Sequence, residues 1–146
     1  METVKQRRAT TVKAIVNLKE ALDDFALLVK SENYTQKAYR KERDSLVKRF
    51  ELAVDTLWKY LKFYIQEKSG IVHNSPKEVF RECARARLLD ESEAFLALKM
   101  VDARNEATHI YREVIAEELA QVIPVYYMLM DKLITLTDAQ LTNKIV

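Results

Sequence analysis

Apolar side chains recur at steps of three and four along residues 3–31: Val12, Ile15, Leu18, Leu22, Phe25 and Val29. That period matches the turn of an α-helix and predicts an amphipathic helix with a narrow, coiled-coil-like seam. SENYTQK (31–37) is polar and reads as a loop. A second stripe, Leu46, Phe50, Val54, Leu57, Leu61 and Ile65, predicts a helix over 42–68, with Trp58 beside it as a core or interface anchor. Gly70 follows as a terminating residue. Ser75-Pro76-Lys77-Glu78 then reads as a capping box with proline at the first helical position. It opens a short third helix, SPKEVFRECARARLLD, which packs Val79, Phe80, Cys83 and Leu88. A fourth helix begins near 90–92 and runs through FLALKMVDARNEATH. A fifth, over about 112–135, carries Pro124 inside it, where the missing N–H predicts a kink. TDAQLTNKIV (137–146) reads as a flexible tail. The expected fold is all-α: one domain over 1–146, an antiparallel four- to five-helix up-and-down bundle.

Composition sharpens this picture. With one Gly and two Pro in 146 residues, the chain lacks the punctuation that sheets with tight turns require. The lone glycine also rules out a Walker loop, a Rossmann fingerprint or a nucleotidyltransferase-type Gly-Ser loop, since each needs glycines for close backbone approach to phosphate. Any nucleotide transfer must therefore come from another chain. The single cysteine, Cys83, offers no disulfide framework and suits a reducing cytoplasm. The start, METVKQRRATTVKA, has no continuous apolar stretch of the signal-peptide kind, and the apolar run near VIPVYYMLM is too short to cross a bilayer. A soluble cytoplasmic protein is expected. Helices one and two carry more large apolar residues than a thin bundle needs, so the bundle is expected to dimerise, with Trp58 and Phe63 shared across the interface.

Net charge is +2, but residues 1–50 hold 12 of the 24 Lys/Arg and 7 of the 22 Asp/Glu. KAYRKERDSLVKR (37–49) concentrates six bases against two acids, either a solvated helix face or a surface for a polyanion.

RNEATHIY (104–111) is the stretch richest in chemistry. Glu106 and His109 form an E-x-x-H at helical spacing, as in di-iron bundles, but those sites need a second such motif and two further carboxylates. A zinc site from His73, Cys83 and His109 would have no recognisable ligand spacing. A plain structural reading makes His109 a helix-end residue and pairs Arg104 with Asp102 or Glu106. A third reading is phosphate chemistry: Arg104 offers a planar fork for phosphate, and His109 supplies an imidazole, the side chain suited to moving a proton. Five residues along a continuous helix turn ~500°, which leaves Arg104 and His109 ~140° apart. Either the helix breaks between Thr108 and Arg112, or a second subunit completes the site.

The chain resembles the HEPN superfamily, specifically the HepT-like group of nucleotidyltransferase substrate-binding proteins. The agreement runs over about 43–133 and includes RFELAVDTLWKYLK (49–62), SPKEVFRECARARLLD (75–90) and DARNEATHIY (102–111). The last matches the group's R-x4-H-x-Y signature at Arg104, His109 and Tyr111. Residues 1–40 match only as a generic helix, and Pro124 departs from the pattern of the last helix.

The resemblance implies a dimer with the Arg–His pairs at a cleft near its axis. It also implies a metal-independent ribonuclease that acts as a toxin on RNA, with no cofactor. Its partner would be an MNT-type nucleotidyltransferase antitoxin encoded nearby, which uses ATP to place AMP on the motif tyrosine. On this view His109 is the general acid/base and Arg104 holds the scissile phosphate. Asn105 orients the phosphate or caps the helix break, and Tyr111 is exposed and modifiable. Glu51 and Asp55, four apart on one helix face, are candidates to hold Arg104 or His109. Lys41, Arg43, Arg81 and Arg85 are candidate RNA-positioning charges. The alternative is a non-catalytic subunit that binds substrate for the transferase.

Overall fold

In the computed structural model the described residues are 2–145 for the backbone and 2–138 for side chains. They form five helices and no strand: α1 Val4–Ser31, α2 Gln36–Ser69, α3 Pro76–Arg85, α4 Glu91–His109 and α5 Glu113–Ile145. The all-α expectation holds. Each start is built from its local sequence. Thr3 and Gln6 close a full capping box on α1, and Asp90 and Glu93 do the same on α4. At α3 the Ser75 side chain accepts from the Glu78 N–H, but the Glu78 carboxylate reaches back to Asn74 N–H and not to Ser75. The box expected there is therefore only half made.

α2 begins six residues before the expected start, because Thr35 caps it by accepting from Ala38 N–H at 3.0 Å. The expected loop is present but shorter, 32–35, because Gln36 and Lys37 belong to the exposed start of α2. Gly70 ends α2 in the left-handed region (φ 75°), donating its N–H to Gln66 O at 2.8 Å. α3 stops at Arg85, short of the expected 90. Arg87 turns left-handed (φ 63°), and Leu88 N–H returns to Cys83 O at 2.9 Å, which tucks Leu88 and Leu89 into the core.

α2 is the central helix and touches each of the other four. All six residues of its expected stripe are 5% exposed or less, and Ala53, Tyr60 and Tyr64 are buried beside them. A stripe wider than a seam is what a helix with partners on several sides requires, and each large side chain buried adds ~1.5–3 kcal/mol. Phe50 stacks on Tyr126 of α5 at 5.6 Å between ring centroids. α1 packs on α2 and α5, and the Thr11 hydroxyl lies 2.9 Å from Arg7 O and 3.1 Å from Thr56 O where α1 and α2 meet. The α1 seam is inward at Ile15, Leu18 and Phe25, but Val29 is exposed, because the last turn of α1 borders an open groove.

Trp58 is half-buried against the core, and its Nε1 donates to Asp55 Oδ1 at 3.4 Å. One face of Phe63 is already covered within the chain by the Arg7 guanidinium, 3.9 Å from the ring centroid. α5 continues through Pro124 and beyond the expected 135 as far as Ile145. Thr137 is helical and fully buried; side chains of the expected tail from 139 onward lie outside the described residues. By length and composition the stretch Glu113–Asp138 is apolar enough to cross a membrane. Here Ile123, Met130 and Leu133 on it are fully buried as core.

Candidate active site at the end of the fourth helix

α4 ends at His109 because Ile110 leaves the helical region (φ −126°, ψ 100°), its N–H still bonded to Glu106 O at 2.8 Å. Residues 110–112 are non-helical, and α5 begins at Glu113. The break thus falls within the expected window, but after His109. Arg104 and His109 remain on one continuous helix, ~140° apart around its axis. The break does not fold them onto a common face.

Arg104 is turned toward α2. Its Nη2 donates to Asp55 Oδ1 at 3.4 Å and its Nη1 to Asn105 Oδ1 at 3.3 Å. The side chain is 25% exposed, and its Nε is buried without a partner. Asp55 also receives Trp58 Nε1 on the same oxygen and Lys59 Nζ on the other, at 3.3 Å. One carboxylate therefore orients a guanidinium, an indole and an ammonium, so that the guanidinium is held in place while part of its fork faces water. Of the two acids read as holding residues, Asp55 meets Arg104. Glu51 does not: its Oε2 pairs with Lys48 Nζ at 3.4 Å. Asn105 touches Arg104, and the break is closed by the Ile110 backbone, so Asn105 is not its cap.

His109 is exposed, and Tyr111 stands 77% exposed in the non-helical segment, as expected of an accessible tyrosine. Glu51 and Tyr111 line the same cleft of about 160 Å³ between α2 and residues 110–116. No sequence signal marks this cleft, because its walls come from three separate stretches.

Among the proposed RNA-positioning charges, Lys41 and Arg81 are exposed, and Arg85 is exposed but paired with Glu82 at 2.8 Å. Arg43 is a correction. It is 3% exposed, with Asp44 at 3.1 Å, Glu117 at 3.3 Å and Glu113 at 3.4 Å. A guanidinium enclosed by three carboxylates is a buried structural cation and does not present itself to a phosphate. Burial alone would depress it, but the bonds to Glu113, Glu117 and Asp44 outweigh that and hold it above its ordinary value. Glu117 also accepts from the Tyr39 hydroxyl, and burial, aided by that bond, pushes Tyr39 up to about 12. This network joins the starts of α2 and α5 and so supports the segment that carries Tyr111.

Chemically, the site offers an oriented guanidinium, an imidazole open to solvent and an open phenol, on a helix end and the turn after it. The profile of the family described as "Nucleotidyltransferase substrate binding protein like" matches residues 7–138. No curated protein matches the chain in sequence. Among solved structures, a Thermus thermophilus protein is 34% identical, with a TM-score of 0.67 over 82% of this chain and 98% of its own. The tri-AMPylated Shewanella oneidensis HEPN toxin in complex with its MNT antitoxin is 17% identical, with a TM-score of 0.72 over 95% and 99%. A toxin–antitoxin structure with AMP-PNP is 16% identical, with a TM-score of 0.64 over 94% and 99%. The last two share the fold.

Proposed function

Since the chain belongs to the nucleotidyltransferase substrate-binding protein-like family, which is HEPN-like, we propose that it is the toxin of a cytoplasmic toxin–antitoxin pair and a metal-independent endoribonuclease. The observation that carries this reading is the Asp55-held Arg104 on the same helix end as an exposed His109. Because the two point ~140° apart, Arg104 of one subunit works with His109 of the other in a homodimer. The 2′-oxygen attacks the neighbouring phosphorus as one His109 takes the hydroxyl proton. The bond from phosphorus to the 5′-oxygen breaks, and the second His109 returns a proton to that leaving oxygen. A 2′,3′-cyclic phosphate and a 5′-hydroxyl result. Arg104 stabilises the charge that builds on the phosphate oxygens.

An MNT-type nucleotidyltransferase neutralises the toxin by moving AMP from ATP to Tyr111, releasing pyrophosphate. The shared fold with an AMP-modified toxin bound to an MNT antitoxin supports this partner. The family's own description favours a second reading, a substrate-binding subunit that holds phosphate without cutting.

The test is cleavage of labelled RNA in EDTA by purified protein. His109→Ala should lose ~10²–10⁴ of the rate, and Arg104→Ala should lose activity similarly, each with an unchanged helical spectrum. Wild-type dimer that binds RNA and never cuts it establishes the binding-subunit reading instead. A monomer by light scattering at micromolar concentration removes the composite site. Mass gain with the transferase and ATP should occur in wild type and be absent in Tyr111→Phe.

A further inference from the structure

The cleft beside Tyr111 contains a feature that the cleavage chemistry does not use. Glu51 is a carboxylate with two unlike oxygens. Oε2 is served by Lys48 at 3.4 Å, while Oε1 is sealed from solvent and has no donor among the described residues. A buried acceptor left unmatched costs ~1–3 kcal/mol, so its presence on a residue that lines a cleft calls for an explanation. The other walls are apolar: Val47 from α2, Ala107 from α4, Ile110 from the turn, Ile115 and Ala116 from α5. At about 160 Å³ the space suits one ring system and not a whole nucleotide. Lys48 and Arg112 are exposed cations that also line it, together with Tyr111 and with Asp44, whose carboxylate pairs with Arg43 at 3.1 Å.

We propose that this cleft is a base pocket that seats the adenine of the adenylate carried by Tyr111, with its exocyclic amine donating to the Glu51 carboxylate. The choice of adenine rests on the reading of Tyr111 as the acceptor of AMP. A flat ring fits between the aliphatic walls. An ionised carboxylate accepts and cannot donate, so it selects a base that presents an amine at that edge and repels one that presents a carbonyl. The phosphate stays outside, with Lys48 and Arg112 as counter-charges. Seated in this way, the modification ties α2 to the turn after His109 and lies across the approach to the motif.

The experiment titrates the intact wild-type protein with free AMP and free IMP by calorimetry. The two nucleotides differ in presenting an amine or a carbonyl at the six position. AMP should bind saturably and about tenfold or more tightly than IMP. Glu51→Gln, whose amide can both accept and donate, should bring the two together, and Val47→Trp, which fills the cleft, should abolish binding of both. Circular dichroism on each variant confirms its fold. Protein already adenylylated on Tyr111 should lose affinity for free AMP by about tenfold, because the tethered ring occupies the pocket. Equal binding of AMP and IMP by wild type overturns the pocket, as does no AMP binding at millimolar concentration. Unchanged AMP affinity after adenylylation overturns the assignment to the tethered group. Failure of the transferase to label wild type, with the AMP preference intact, counts against the modification of Tyr111 and leaves the base pocket standing.

Discussion

Replacing Arg43 by Met keeps most of the stem's bulk and removes the charge, which separates a structural cation from an RNA contact. The substitution strips a shared counter-ion from Asp44, Glu113 and Glu117, at 3.1, 3.4 and 3.3 Å. Removing one partner of a fully buried pair costs ~3–5 kcal/mol. Those three carboxylates are 43%, 57% and 42% exposed, however, and can recover water, as the acids of exposed pairs worth ~0–1 kcal/mol do. The expected loss is between the two, about 2–3 kcal/mol, or roughly 6–10 °C in Tm for a chain of this size. Urea and thermal unfolding followed by circular dichroism measure it. Combining Arg43→Met with Glu117→Gln removes one stranded charge and should recover about 1 kcal/mol. Below the transition, RNA affinity of the folded variant should match wild type. A stability change under ~0.5 kcal/mol, or weaker RNA binding at full stability, would show that Arg43 faces a ligand and that the buried network is misread.

Asp55→Asn should lower RNA cleavage by ~10–10² through misplacement of Arg104, while unfolding free energy stays within ~0.5 kcal/mol of wild type. Undiminished cleavage would detach Asp55 from the site. Burial raises Tyr39 and Tyr64 to about 12 from an ordinary 10, and Cys83 to about 12 from 9. Folding disfavours their charged forms, so the stability they contribute is whole below the ordinary values and is lost as pH climbs from there through about 12. The urea midpoint should fall steadily between about pH 9 and pH 11.5, and a flat profile would contradict the burial of these groups. For the same reason Cys83 should resist alkylation in native protein near neutral pH and react once urea unfolds it, whereas rapid native labelling would place it at the surface.

Helix identity and the inner stripe of α2 were legible in the chain because both depend on near neighbours. The 3.6-residue period set which face of 42–68 turns inward, and Gly70 and Ser75 act within one turn of themselves. Scarcity of glycine excluded phosphate loops before any coordinates were needed. Boundaries were less legible where polar residues formed an exposed helical turn, as at Gln36 and Lys37, since polarity marks contact with water equally in a turn and in a loop. The motif Arg104, His109 and Tyr111 was visible as a spacing, and its ~140° mismatch followed from helix geometry alone. That Arg104 rests on Asp55 while Glu51 lines a separate cleft was not visible, although both acids lie on the same helix. Which one meets α4 depends on how α4 crosses α2. Arg43 shows this most directly. In the sequence it lies within the most basic run, but in the fold it faces two glutamates about seventy residues away. A charge's role is decided by what surrounds it, and only tertiary packing brings α5 against the start of α2.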